Sequence, residues 1–269
     1  MKKWEILNIT IIFILVLLTG CSNNSAPVTS EKKKPALTGI IKPLEPTANK
    51  AEVKEKVAVQ VESKVIVIDP GHANKSNLEK EALSPGSSEM KIKDGGGAEG
   101  ISTKTPEYLV NMRVAIKLKT LLEGNKFKVV MTKTDNSLSL GNIDRANIGN
   151  DAKASLVLRI HADSNNNGSV MGASMLVPAS INENTKAIHD ESMRCGTIVL
   201  NTLTSEVGMK NRGVVEHSDM TGFNWSKVPV ILVEMGFLSN VNEDKLLSSE
   251  GYEDKLALGL FHGIVAAEK

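Results

Sequence analysis

The chain predicts an α/β fold, in which a sheet with parallel portions carries helices on both of its faces. Three observations lead there. Apolar, largely β-branched runs of strand length recur at residues 65–68 (VIVI), 155–160 (SLVLRI) and 230–233 (VILV). Apart from Ser155 and Arg159 they are apolar rather than alternating, as in strands covered on both sides. Between them lie stretches with a helical period, so strand and helix signals alternate along the sequence.

The elements follow in order. After the strand at 65–68, Asp69-Pro70-Gly71 breaks into a turn and leaves His72 just past the strand end. Residues 74–104 are polar and include Gly95-Gly96-Gly97, but lack the Gly-Lys-Ser/Thr ending of a phosphate loop. This long loop leaves the ligand-binding edge of the sheet and is expected to shape a groove. Thr105-Pro106-Glu107 reads as a helix start, with Thr105 as N-cap, proline at the first helical position and an acid in the first turn. The apolar stripe Leu109, Met112, Ala115, Ile116, Leu118 and Leu122 carries that helix to Gly124. A second strand is expected at 127–131, a short helix at 138–150 and a third strand at 154–160, with His161 next. A fourth strand at 172–177 precedes one long or two consecutive helices at 182–207. Then come a brief extended segment at 214–215, a polar loop at 216–227 and the last core strand at 228–234, delivering Glu234. Ser239-Asn240 opens a further turn, and residues 252–267 form a closing amphipathic helix.

The N-terminus carries a different signal. A basic start and the short apolar run 9–18 have the form of a signal peptide, ending in Leu18-Thr19-Gly20-Cys21. That ending resembles a bacterial lipobox, which makes residues 1–21 a lipoprotein signal and Cys21 the lipidated first residue of the mature chain. Residues 22–62 are read as a disordered tether rich in Ser, Asn, Pro, Thr and Lys, and residues 63–269 as the catalytic domain. The expected location is the outer face of a bacterial cell membrane, with the lipid bilayer as one partner. With Cys21 lipidated, Cys195 has no intrachain partner, so no disulfide framework exists and a packed core must provide stability. A net charge of +1 and 3% aromatic residues argue against nucleic acid as a partner. A monomer is expected.

Two imidazoles and a carboxylate at three strand ends, in a chain with five histidines, point to a metal-dependent hydrolase. Singly, each has an ordinary structural reading. A histidine after a strand is commonly a hydrogen-bonded core or surface residue, and Glu107 would favour the helix dipole wherever it sat in the first turn. Asp69 reads equally as a residue orienting His72 or as a turn residue, Asp163 as a support for the site or a loop cap. Arg145 reads first as a surface helix arginine and second as a residue near the groove. His189, His217 and His262 read as non-ligands, with the groove wall as a further place for His217, and Cys195 as a small buried hydrophobe.

Four ordered motifs add what spacing cannot. IDPGH at 68–72, PEYLVN at 106–111, RIHAD at 159–163 and VPVILVEMGFLSN at 228–240 resemble the signatures of zinc-dependent N-acetylmuramoyl-L-alanine amidases of the amidase-3 type. The resemblance implies a single α/β domain with a twisted, mostly parallel sheet. It also implies Zn²⁺ held by His72, Glu107 and His161, and Glu234 as the catalytic carboxylate. The implied substrate is peptidoglycan, cut at the amide between N-acetylmuramic acid and L-alanine. Two departures stand out: Ala73-Asn74 replace a second Gly-Gly common after the first histidine, and the insertion before Thr105 is long. Rival readings are a non-catalytic peptidoglycan-binding lipoprotein, a zinc endopeptidase acting on the stem peptide, and a structural zinc site with Asp163 as fourth ligand.

Overall fold

The computed structural model describes residues 63–269. The signal peptide, Cys21 and the tether lie outside the described residues. Six strands form the central sheet: β1 (Val65–Pro70), β4 (Lys128–Met131), β5 (Leu156–Asp163), β6 (Ala173–Pro178), β7 (Asn211–His217) and β8 (Val230–Phe237). Their spatial order is β4-β1-β5-β8-β6-β7. All neighbours run parallel except β8 and β6, so the sheet is mostly parallel, as expected.

The period-2 geometry of the strands sorts their side chains between two faces. Ile66, Ile68, Leu156, Leu158, Ile160, Ile231 and Val233 pack under α1 (Glu107–Gly124), α3 (Lys186–Val207) and α6 (Glu250–Ala267). Val67, Val157, Val230 and Leu232 face the other way, toward α2 (Asn142–Asp151) and α4 (Thr221–Asn224). Helices therefore cover both faces, which is why these strands read as unbroken apolar runs.

Several elements depart from the sequence reading. The stretch 74–104 is not a plain loop. It folds back as an antiparallel hairpin of β2 (Asn77–Ala82) and β3 (Met90–Asp94), outside the main sheet. Its only fully buried residues are the carboxylates Glu81 and Asp94, so no apolar alternation marked it. Helix α1 starts one residue later than a Thr105 cap would place it, with Pro106 as N-cap and no side-chain cap. The Glu107 amide instead donates to the Ala98 carbonyl at 2.9 Å, so a preceding loop does the capping. Its buried stripe is also rotated: Val110, Val114, Ala115, Leu118 and Leu122 face the core, while Ile116 is 49% exposed.

Helix α2 is shorter at its start than residues 138–150 implied, and it is capped from a distance. The Glu81 carboxylate accepts from the Asn142 amide at 2.7 Å and the Ile143 amide at 3.1 Å, docking the hairpin onto the helix N-terminus. The segment 182–207 resolves into one helix, α3, and residues 214–215 into the full strand β7. The turn at Ser239-Asn240 leads into α5 (Val241–Leu247), whose N-cap Asn240 accepts from the amides of Asn242 and Glu243.

Beneath the sheet edge lies a buried ionic cluster. Asp69, at the end of β1, accepts from Arg145 Nη1 at 2.5 Å, Arg159 Nε at 2.8 Å and the Thr132 hydroxyl at 2.6 Å. Asp69 thus does not touch His72; it is the anchor of two guanidiniums. Arg145 is only 4% exposed and is not a surface arginine. Burial raises the Asp69 pKa, yet Arg145 and Arg159 outweigh that and hold it well below the carboxylate range. Removing one partner of such a cluster leaves unpaired buried charge, so Asp69→Asn should cost about 3–5 kcal/mol. The ionised carboxylate contributes stability above its unfolded pKa of 3.8, and this is lost as pH falls below that value. Urea melts should therefore show a constant gap between wild type and variant at neutral pH that narrows only in acid.

Candidate metal centre and active site

The site forms where β1, β5 and β8 end and α1 begins. After Gly71, whose amide still bonds the Ile160 carbonyl at 2.9 Å, His72 turns into the left-handed region at φ 59°. A non-glycine residue there is strained by roughly 1–2 kcal/mol, which the surroundings must hold. Asp94 supplies one restraint: its Oδ1 lies 2.8 Å from His72 Nδ1. That leaves His72 Nε2 toward Glu107, 3.4 Å from Oε1. His161 Nδ1 lies 3.1 Å from the same oxygen, and the two imidazoles meet edge to face with centroids 4.9 Å apart. Gly71 is required here because a Cβ on it would lie 2.2 Å from the His161 ring.

His72, Glu107 and His161 thus present one donor atom each, all within 4.8 Å of one another, the only such group of at least three metal-ligating side chains among the described residues. Asp163 is not part of it; its carboxylate accepts from the Ser164 amide, which leaves three ligands rather than four. His189, His217 and His262 pair with Asp190, Asp219 and Glu206 elsewhere, and Cys195 is buried, as read from sequence.

The electrostatics suit a cation. Burial opposes ionisation of Glu107, but hydrogen bonds from His161 and His72 dominate and hold its pKa well below the ordinary range. Burial lowers His161 and favours the neutral imidazole that ligates metal. His72 is desolvated too, yet its bonds to Asp94 and Glu107 raise it to about 9, so this pocket stabilises positive charge. His161 Nε2 is buried without any hydrogen-bond partner in the protein. An orphaned buried nitrogen costs about 1–3 kcal/mol, which a bound metal ion or a group it holds would offset. The residues present therefore fit a metal ion.

Glu234 stands beside His161. The two are direct register partners on parallel strands β5 and β8, so both side chains project from the same face. Burial, then the charges of Glu107 and Asp163, push the Glu234 pKa well above the usual carboxylate range. Its Oε2 has no partner in the protein. A cavity of about 220 Å³ opens beside His72 and His161, lined also by Asp94, Arg145 and Arg159.

The sequence profile of the amidase-3 N-acetylmuramoyl-L-alanine amidase family matches residues 66–266. The chain belongs to this family. Among curated relatives it is similar to the N-acetylmuramoyl-L-alanine amidase LytC of Bacillus subtilis, 26% identical over 224 residues. That match covers 81% of this chain and 39% of LytC, so the chain spans about two-fifths of that relative's length. Among solved structures, an N-acetylmuramoyl-L-alanine amidase from Clostridium difficile 630 superposes with a TM-score of 0.62 at 26% identity. That superposition covers 76% of this chain and 96% of the other. The amidase Ami1 of Mycobacterium abscessus shares the fold, with a TM-score of 0.69 at 22% identity over 77% of this chain and 99% of Ami1.

Sequence reasoning missed three contributors to this amidase-family site, Asp94, Arg159 and Gly71, and preferred the surface to the groove for Arg145. Only Arg159, an arginine inside a buried apolar strand, carried a local signal: a charge there requires a partner.

Proposed function

We propose that the chain is a zinc-dependent hydrolase of the amide bond between N-acetylmuramic acid and L-alanine in peptidoglycan. The carrying observation is the convergence of His72, Glu107 and His161 to within 4.8 Å, with Glu234 in register beside His161. Two imidazoles and a carboxylate are a donor set suited to Zn²⁺ with a position left open. When bound, zinc would lower the pKa of a water to about 7 and polarise a carbonyl. Glu107 enters the reaction ionised and balances part of the metal charge. Asp94 accepts from His72 Nδ1, which fixes the tautomer and directs Nε2 to the site.

Glu234 is the proton carrier. Desolvated and without a partner for Oε2, it takes a proton from the attacking water and hands it to the departing amide nitrogen. A pure wall-binding protein would have no use for such a group, and burying it without a bond is costly. The named relatives carry the same activity in their names, which supports this choice among amide substrates.

The lipobox-like Leu18-Thr19-Gly20-Cys21 supports export and a lipid anchor, with residues 22–62 as the tether that lets the domain reach the wall. No helix among the described residues is long and apolar enough to cross a membrane.

Digestion of defined muropeptides by the zinc-loaded protein, read by mass spectrometry, tests the reaction. Free stem peptides beginning with L-alanine are the expected product. Cuts inside the stem would make it an endopeptidase, and intact muropeptides would leave only binding.

A further inference from the structure

We propose that the cavity beside His72 and His161 is an anion subsite in which Arg145 receives a free carboxylate on the peptide stem. The inference rests on the amidase reading and extends it to which stems are preferred. Arg145 sits in the first turns of α2 and is 4% exposed. Three of its hydrogen bonds are internal: Nε to the Leu140 carbonyl at 3.2 Å, and Nη1 to Asp69 Oδ1 at 2.5 Å and the Pro70 carbonyl at 3.0 Å. Its Nη2 is buried and has no partner, although the residue lines the cavity.

Three cations, Arg145, Arg159 and Lys133, share two carboxylates here, Asp69 and Asp94. Asp69 serves two guanidiniums, Arg145 through Oδ1 and Arg159 through Oδ2, while Arg159 Nη2 turns to the amide oxygen of Asn142 at 2.8 Å. Lys133, 2% exposed, lies in the same cluster with its ammonium on Asn136 Oδ1 at 3.0 Å. Burial and then the charge of Arg145 pull its pKa down to about 8, as expected where positive charge is in excess. An unpaired guanidinium N–H beside this excess favours an anion over a neutral amide, since charge-assisted bonds are roughly twice as strong.

Position selects the anion. The cavity is bounded by two of the three metal-ligating residues, so a substrate held there at its scissile carbonyl extends directly into it. Two extended residues span about 7 Å. The carboxylate of the second stem residue is therefore within reach of a cavity of about 220 Å³. One feature opposes the assignment: Asp94 also lines the cavity, its Oδ2 is buried without a partner, and a water between it and Arg145 Nη2 would satisfy both.

The test uses the zinc-loaded Glu234→Gln protein and two N-acetylmuramoyl dipeptides that differ only at the second residue. One carries a free α-carboxylate there, the other its carboxamide. Calorimetry is expected to show the carboxylate bound at least 10-fold tighter, about 1.4 kcal/mol. Arg145→Lys, in which the ammonium is consumed by Asp69, should erase that preference while both ligands still bind. Should this variant fail to fold, the ligand pair on the parent protein decides alone. Equal affinities would overturn the subsite and favour the water bridge, leaving the amidase reading intact. If neither dipeptide binds and wild type cleaves neither, both readings fail together.

Discussion

Glu234→Gln should lower turnover by roughly 10²–10⁴-fold while zinc content and muropeptide binding stay at wild-type levels. Glutamine keeps the shape and still accepts a hydrogen bond, but it is no base near neutral pH. The structural alternative makes the opposite forecast. If Glu234 existed to support the turn at Met235-Gly236, its loss would lower stability and spare the turnover of the folded fraction. The surroundings favour the first. Burial and the charges of Glu107 and Asp163 raise the Glu234 pKa, and no protein group satisfies Oε2. A carboxyl whose pKa is higher in the folded state than in the unfolded one opposes folding wherever the unfolded chain would be ionised. At pH 7 the neutral glutamine should therefore leave the melting temperature of the metal-free protein equal or higher. Single-turnover kinetics with a thermal melt on the same sample measures both, and a well-folded, zinc-loaded variant with wild-type kcat would sink the mechanism.

Stripping the metal with a chelator should abolish hydrolysis and lower the melting temperature, with both restored by about one equivalent of zinc. The ligands come from a strand end, a helix start and a neighbouring strand, 35 and 54 residues apart in sequence order from His72 to Glu107 to His161. The unfolded chain offers no such site, so binding adds to folding free energy, about 2.7 kcal/mol when free zinc is 100 times its Kd. His161→Ala should lose the metal altogether. Asp94→Asn is the graded case: it removes the carboxylate on His72 Nδ1 without touching a donor atom. A 10–100-fold loss of zinc affinity is expected from such a change. Metal analysis after dialysis against a competing chelator reads all three, and full turnover in chelator-treated protein would refute metal dependence.

Much of this molecule was legible locally. The strands at 65–68, 155–160 and 230–233 announced themselves because a strand buried on both faces needs no alternation, and their ends named His72, His161 and Glu234. Glu107 was legible only through the resemblance, since an acid in the first helical turn has a sufficient explanation in the dipole. The hairpin was invisible because its buried positions are carboxylates whose partners lie far along the chain, Asp94 on His72 and Glu81 on α2. Arg145 was left between surface and groove for the same reason: its partner Asp69 is 76 residues away.

The amino-acid sequence by itself determined the core strands of the main sheet and the helices that cover it, and which chemical groups stand at the strand ends. Both are consequences of hydrophobic periodicity and turn residues, which act over a few positions. Tertiary structure decided which of those groups meet. It brought Glu107 between two imidazoles, buried Arg145 and Arg159 on one carboxylate, and laid a charged hairpin against His72. Those pairings are set by strand order and helix placement, and a buried charge takes its meaning from the partner that the fold brings to it rather than from its neighbours in the chain.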